Sequence, residues 1–282
     1  MTIPDELQIT DTDKAGSVSA ITRHYLAVRW FELAPETRRI YARAATTLIS
    51  SYGDRSAAAL SPDDIGNMTL PVGVKSQVMN LASAAINYAR KRGKITGGVP
   101  WSRCAVKIVG EWEPWTPQDV DKAISGPEFG VMRDIVLFAA GTGMRRGDIL
   151  SLNHLNFYKQ NDRVHLAYTQ SKTGAVIDMP LTASTANLDL VKRALSSKPL
   201  FGKVTKHSFY RVYMRYCRKI GVSKPFHGLR KFCATRLAEA GCSMPEIMSV
   251  TGHQSTTTTM KYIKSANKSK LTTNAIERLE KL

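Results

Sequence analysis

The sequence predicts a mainly α protein with a small antiparallel β-sheet, divided into two domains. Three observations carry that expectation. Apolar residues recur at helical spacing along much of the chain, as Ile21, Tyr25, Val28 and Leu33 do, which is the periodicity of an amphipathic helix. Residues 163–180 alternate weakly instead, around a turn at Lys172-Thr173-Gly174, and suit a hairpin or a three-stranded sheet. Between two helical regions, RKRGKITGGVPWSRCAVK at 90–107 holds six basic and no acidic residues, with Gly97, Gly98 and Pro100 interrupting any regular element. The chain has 282 residues, enough for two domains. Its hydrophobic content of 43% is ordinary for a folded protein.

Each element has its own signal. Residues 1–15 lean acidic and read as a flexible tail. A helix begins after Ser17 and is stopped or kinked at Pro35. ETRRIYARAATTLISSYG places Ile40, Ala44, Thr47 and Leu48 on one face and ends at Gly53. In SPDDI, Ser61 caps a helix and Pro62 occupies its first turn. VKSQVMNLASAAINYARKRGKI is a fourth helix, ending near Gly93. Residues 16–95 are therefore expected to form a small all-helical domain, followed by a basic linker over 96–114. A second domain spans 115–265 and opens with Thr116 as cap and Pro117 at the first helical position. VMRDIVLFAAGTG is an apolar helix ending in glycine. After the strands come helices at 184–196, 206–220, 227–240 and 244–251, then one carrying Tyr262. In the tail, 266–282, Ile276, Leu279 and Leu282 form an apolar stripe on a short helix.

Composition narrows the function. A net charge of +17 and a pI of about 9.8 predict attraction to a polyanion, and nucleic acid is the usual one. A basic protein held at a ribosome or a membrane has the same balance. Cys104, Cys217, Cys233 and Cys242 lie far apart with no CxxC, so neither a zinc site nor a disulfide framework is expected. They read as reduced packing thiols of a cytoplasmic protein. MTIPDELQITDTDK lacks the apolar core of a signal peptide, and no run approaches the roughly 18 apolar residues of a membrane span.

Three segments carry chemistry. In GTGMRRGDIL at 141–150 a glycine turn feeds a helix, so that backbone amides and the Arg145 guanidinium can face an anion. Arg146 points elsewhere on that helix, and Asp148, three residues after Arg145, can orient it. HGLRKF at 227–232 puts His227 and Arg230 on one helix face. In TGHQSTTTTMKYIK at 251–264, His253 sits in a turn and Tyr262 follows nine residues later. Lys172 lies in SKTG, on the hairpin. Singly, each has a bland alternative: a surface arginine, a surface His–Arg pair, a solvated lysine, a tyrosine packed with its hydroxyl in water. The last is expected of Tyr210, Tyr213 and Tyr216. Together, an arginine pair can hold a phosphate that a nearby tyrosine attacks. That combination points to DNA strand breakage through a covalent phosphotyrosine.

The order T-G-x-R-x-x-[E/D], K-T-G, H-x-x-R, G-H and then Tyr resembles the signature of the tyrosine recombinases, the integrase and Xer-type site-specific DNA recombinases. The likeness spans about 115–265. More weakly, 16–95 resembles the helical, SAM-like core-binding domain that precedes an α-rich catalytic domain with a small antiparallel sheet. The resemblance implies that Arg145 and Arg230 grip the scissile phosphate, Lys172 protonates the leaving 5′ oxygen, and His227 assists proton transfer. It makes His253 a second donor to the phosphate, Tyr262 the nucleophile and Asp148 a support. Neither a metal nor another cofactor is implied, because side-chain cations take the place of metal ions and a tyrosine ester conserves the phosphodiester energy without ATP. The basic residues Arg90, Lys91, Arg92, Lys94, Arg103 and Lys107 are candidate DNA contacts.

The implied partners are double-stranded DNA recombination sites, three further protomers in a tetramer that passes through a Holliday junction, and accessory DNA-bending or directionality proteins, with no membrane. The helical domain and linker would embrace the face of the duplex opposite the catalytic domain. The setting is a nucleoid-associated, prokaryotic or phage-encoded protein serving integration, excision or resolution, as mobile genetic elements use. The 266–282 helix either docks on a neighbouring protomer or packs on its own domain. About 15 residues before the first helix are too few for an additional arm-binding domain. The chain departs from the pattern at Asp148, where glutamate is more frequent, at Lys231, where histidine is, and at Thr251, where leucine is. A non-catalytic DNA-binding protein on the same scaffold, and a type IB topoisomerase or telomere resolvase, are the competing readings. Retention of the whole residue set and the G-H to Tyr262 spacing favour the recombinase.

Overall fold

The computed structural model describes residues 2–98, 101, 113–126, 130–263, 266 and 268–280; for Thr258, Lys261, Tyr262, Ile263, Lys268, Arg278 and Leu279 it describes the backbone alone. The chain divides into two units, Met1–Glu111 and Trp112–Leu282.

Capping chemistry starts the helices of the first unit. α1 (Val18–Arg29) opens where Ser17 Oγ accepts the Ala20 amide at 3.2 Å. α1 ends at Arg29, before Pro35 is reached, and Pro35 instead fills the first turn of α2 (Pro35–Tyr52), where a missing N–H costs nothing. α3 (Pro62–Gly66) begins with a reciprocal capping box between Ser61 and Asp64. α4 (Val72–Lys91) packs against α1 and α2. Leu26, Ala45, Leu48, Leu81 and Ala85 are fully buried between them. The expected loose tail over 1–15 is tied down instead. Leu7 is buried in this core and Arg23 pairs with Asp13 at 2.6 Å. Ile95, the last residue of the expected helical domain, belongs to the core, and so does Trp101, where chain expected as linker contributes apolar area to the first unit.

The second unit is built around α6 (Gly130–Thr142), whose residues Met132, Ile135, Val136, Phe138 and Ala139 are buried. Against it lie α5 (Pro117–Ser125), capped by Thr116 as its sequence predicts, and α7 (Arg146–Ile149). Three strands follow, β1 (Phe157–Gln160), β2 (Arg163–Thr169) and β3 (Val176–Pro180), antiparallel in the order β1-β2-β3. Phe157 pairs with Leu166, and Leu166 with Met179. These three share the buried face with Tyr168 and Ile177. β1 lies upstream of the stretch whose alternation suggested strands, joined to β2 through Asn161 and Asp162, both left-handed. The single helix expected at 184–196 is two, α8 (Ala183–Ala186) and α9 (Asp189–Leu195). α10 (Phe209–Lys219), α11 (Gly228–Glu239), α12 (Met244–Thr251), α13 (Thr256–Ile263) and α14 (Lys268–Leu279) complete the unit. The protein is thus mainly helical with one small antiparallel sheet, the class expected.

Tyr213 and Tyr216 are buried, donating their hydroxyls to the carbonyls of Lys224 at 2.6 Å and Ala123 at 3.2 Å, whereas Tyr210 is exposed. α14 packs on α11 of its own chain: Asn274 Nδ2 donates to the Glu239 carbonyl at 2.5 Å, and Leu271 joins Ala234, Ala238 and Ile247. Of the tail's apolar stripe, Ile276 is exposed, and the side chains of Leu279 and Leu282 lie outside the described residues. No helix among the described residues is long and apolar enough to cross a membrane.

Candidate active site

α6 ends at Gly143, which takes a left-handed conformation (φ 65°) and turns the chain so that Arg145 becomes the extended N-cap of α7 rather than a residue within it. The Arg145 side chain, partly exposed, donates through Nη1 to Gln170 Oε1. Asp148 does less for Arg145 than its spacing suggests. Its Oδ2 is 4.0 Å from the guanidinium, while Oδ1 accepts from the Ser171 amide at 3.0 Å and the Ser171 hydroxyl at 2.6 Å. Asp148 therefore fastens the turn that carries Lys172. That turn is closed by Gly174 N–H donating to Gln170 O at 2.9 Å, and Thr173 donates to Gln170 Oε1 at 2.8 Å. Lys172 itself is exposed at the tip.

α11 delivers two more groups. His227 is its N-cap, and Gly228 follows because a Cβ there would press on the Glu113 carbonyl and the Trp115 ring. One turn on, Arg230 is buried at 1% exposure, a setting that requires partners for its charge. Nη1 donates to the Gly143 carbonyl at 2.8 Å and Nε to His253 Nε2 at 3.3 Å. The two arginine segments are thereby joined through Gly143.

His253 follows Gly252, the left-handed C-cap of α12. Burial, then Arg230, Arg145 and His227, push its imidazole down to about 3. His227 is pushed below its ordinary value by desolvation first, then by Arg230, Arg145 and Lys172. These mutual effects mark Arg145, Lys172, His227, Arg230 and His253 as one electropositive cluster. Gln254 Nε2 donates to the Thr173 carbonyl at 2.9 Å and ties the lysine turn to the loop that leads into α13. α13 packs against α11 and α12 and carries Tyr262 in its last turn; the tyrosine side chain lies outside the described residues.

Sequence reasoning missed Gln170, Ser171 and the Gly143 carbonyl, each of which holds a predicted residue in place. Arg146 points away from the cluster, as expected, with its guanidinium 4.8 Å from the Tyr210 ring centre and 5.6 Å from that of Phe209. Of the candidate DNA contacts, Arg90 and Lys91 form the last turn of α4, Arg92 caps it over the Tyr88 ring at 4.4 Å, and Lys94 is exposed. Arg103 and Lys107 lie outside the described residues. Among the described residues no group of three or more His, Cys, Asp or Glu side chains could hold a metal ion. Cys217, Cys233 and Cys242 carry free thiols, and Cys104 lies outside the described residues.

Residues 122–269 match the profile of the phage integrase family. Tyrosine recombinase XerA of Pyrococcus furiosus is 30% identical over 159 residues, which cover 52% of this chain and 55% of that protein. The chain thus spans about half the length of the curated relative it matches. Among solved structures, a lambda integrase tetramer bound to a Holliday junction superposes with a TM-score of 0.69 at 19% identity, covering 92% of this chain and 80% of that one. The Tn1549 transposon integrase in complex with transposon right end DNA gives 0.70 at 17% identity, covering 94% and 99%. The fold is shared with both. The chain belongs to the phage integrase family, the tyrosine recombinases.

Proposed function

We propose that the protein is a site-specific DNA recombinase that cuts and rejoins duplex DNA through a 3′-phosphotyrosine. The observation that carries this reading is the convergence of Arg145, Arg230, His227 and His253 with the Lys172 turn, beside the helix that holds Tyr262. In this reading the Tyr262 oxygen attacks the scissile phosphorus and the bond to the 5′ oxygen breaks. His227, held neutral, takes the phenolic proton. Lys172, at the exposed tip of its turn, gives a proton to the departing 5′ oxygen. Arg145 and Arg230 stabilise the charge that grows on the non-bridging oxygens. The reverse attack by a 5′ hydroxyl restores the phosphodiester, so that no external energy source is consumed.

Exchange between two sites would require four protomers and a four-way junction, a state in which the lambda relative has been solved. Integration, excision or resolution of a DNA element, carried out in the cytoplasm, is the service such chemistry provides. Arg90, Lys91, Arg92 and Lys94 supply a basic surface on the first unit for the same duplex.

The test is covalent trapping on a DNA library that includes the flanks of the encoding gene, using suicide substrates nicked near the cleavage point. A denaturant-resistant adduct with wild type, absent with Tyr262→Phe, is the expected result. Tight binding to one sequence with no adduct from wild type would support a non-catalytic binder. Sequence-independent relaxation of supercoils would support a topoisomerase, and hairpin-ended products a telomere resolvase.

A further inference from the structure

Arg146 is the charged neighbour of Arg145 that the candidate active site leaves unused. It turns out of the electropositive cluster and lays its guanidinium on α10, 4.8 Å from the ring centre of Tyr210 and 5.6 Å from that of Phe209. The two rings stand at 89° with their centres 6.0 Å apart, and so form a corner. The inner wall is fixed: Phe209 is fully buried, stacked on Tyr213 at 5.8 Å and edge-on to Phe226 at 5.0 Å. The outer wall, Tyr210, is 58% exposed. Among the described residues no ion pair or hydrogen bond engages the Arg146 guanidinium.

Stacking uses the flat face of a guanidinium and leaves its in-plane N–H donors unspent. Those donors match the oxygens of a phosphate in pairs. The rings also restrict the side chain before any ligand arrives, which lowers the entropy lost on binding. Nor does the surrounding chain neutralise the charge. No Asp or Glu occurs between Asp189 and Glu239, the stretch that holds α10 and α11, and the hydrogen bonds of Asp148 go to Ser171. Exposed Arg211 and Arg215 on α10 add charge of the same sign. Gly147, the next residue, is exposed, with open space where a Cβ would stand.

We propose that Arg146, held by Tyr210, is a second phosphate ligand of this chain, taking a non-scissile phosphodiester of the duplex whose scissile phosphate lies with Arg145 and Arg230. The inference rests on the recombinase reading for which phosphate is scissile. One of the two neighbouring side chains points into the cluster and the other out of it, so they serve different phosphates. A DNA strand carries one charge for about every 3.4 Å of helix axis, so a duplex seated on Arg145 brings further phosphates alongside. Two phosphates gripped from adjacent residues fix the register at which the strand stops over the site.

The test uses the full chain and the tightest-bound duplex of the trapping library, with each backbone phosphate replaced in turn by a neutral methylphosphonate. Binding is measured for wild type, Arg146→Met and Tyr210→Leu, and melting curves establish that each is folded. At one non-scissile position the replacement should weaken wild type about tenfold and leave Arg146→Met little changed. Tyr210→Leu, which keeps the arginine and removes its shelf, should fall between them at the same position. On the unmodified duplex, Arg146→Met should lower the slope of log affinity against log salt by about 0.9. Equal losses in wild type and both variants at every phosphate, with an unchanged slope, would overturn the proposal and leave Arg146 as a staple between α7 and α10. Coupling confined to the scissile phosphate would overturn it too. Equal losses alongside a wild-type covalent adduct would sink this inference and spare the recombinase reading. Coupling at one phosphate with no adduct from any protein would do the reverse.

Discussion

At the scale of single residues, the two histidines of the site are held against their own titration. His253 is buried between cations and stays neutral down to about pH 3 in the native state, against an ordinary value of 6.5. His227 is displaced in the same direction. In the unfolded chain both would accept a proton below about 6.5. Above that pH neither state gains a proton and the native contacts have their full worth. As pH falls below 6.5 the unfolded chain gains protons that the native site refuses, so stability declines, by up to about 1.4 kcal/mol per pH unit for each group. Melting temperature should therefore drop between pH 7 and pH 4, and His253→Gln should flatten the slope. A profile as steep in the variant as in wild type would remove His253 as a cause. The same neutrality suits His227 to act as a base near neutral pH.

At the scale of elements, the site depends on ends rather than middles of secondary structure. Arg145 caps α7, His227 caps α11, Lys172 tips a turn and His253 follows the C-cap of α12. Gly252 makes the last of these ends possible. It sits at φ 67°, and a Cβ there would overlap the Gln170 amide. Gly252→Ala should cost about 1–3 kcal/mol through backbone strain and displace Gln170, seen as a lower melting temperature together with slower adduct formation. An unchanged melting temperature would show that the close approach relaxes freely. Most of these ends could be read in advance, because caps are local: Ser61, Thr116 and the glycines at 53, 143 and 252 announce helix boundaries by their own chemistry. β1 escaped notice although its two-residue Asn161-Asp162 turn, both residues left-handed, is the type that favours a hairpin. The partners of the site residues were not legible. Gln170 lies 25 positions from Arg145 and 81 from Thr251, and Gly143 lies 87 from Arg230. No local pattern encodes contacts over such separations, whereas the predicted site residues themselves stand at family spacing.

At the scale of the whole molecule, the net charge of +17 implies binding driven largely by counterion release. With about 6–10 phosphate contacts, affinity for duplex DNA should fall by about 10³–10⁵ between 50 and 200 mM salt. Titrations across that range check it, and a flat response would deny the basic surfaces a role in binding. α14 bears on assembly as well, since it rests on α11 of its own chain while leaving Ile276 exposed. Both the intramolecular packing and an apolar residue open to contact are present on one helix.

The way the arginines are held has a consequence for speed as well as strength. The hydrogen bonds described for Arg145 and Arg230 run to an amide oxygen, a backbone carbonyl and a neutral imidazole, while Asp148 directs its own hydrogen bonds to Ser171. An amide dipole aims Arg145, while the nearby Asp148 carboxylate stands off at 4.0 Å. A glutamate in place of Gln170 could aim Arg145 equally well, but an arriving phosphate would then have to evict it. On the recombinase reading, an incoming phosphate would meet an Arg145 already aimed by an amide dipole, and with Asp148 Oδ2 standing off at 4.0 Å it would compete with a long ion pair rather than a close one.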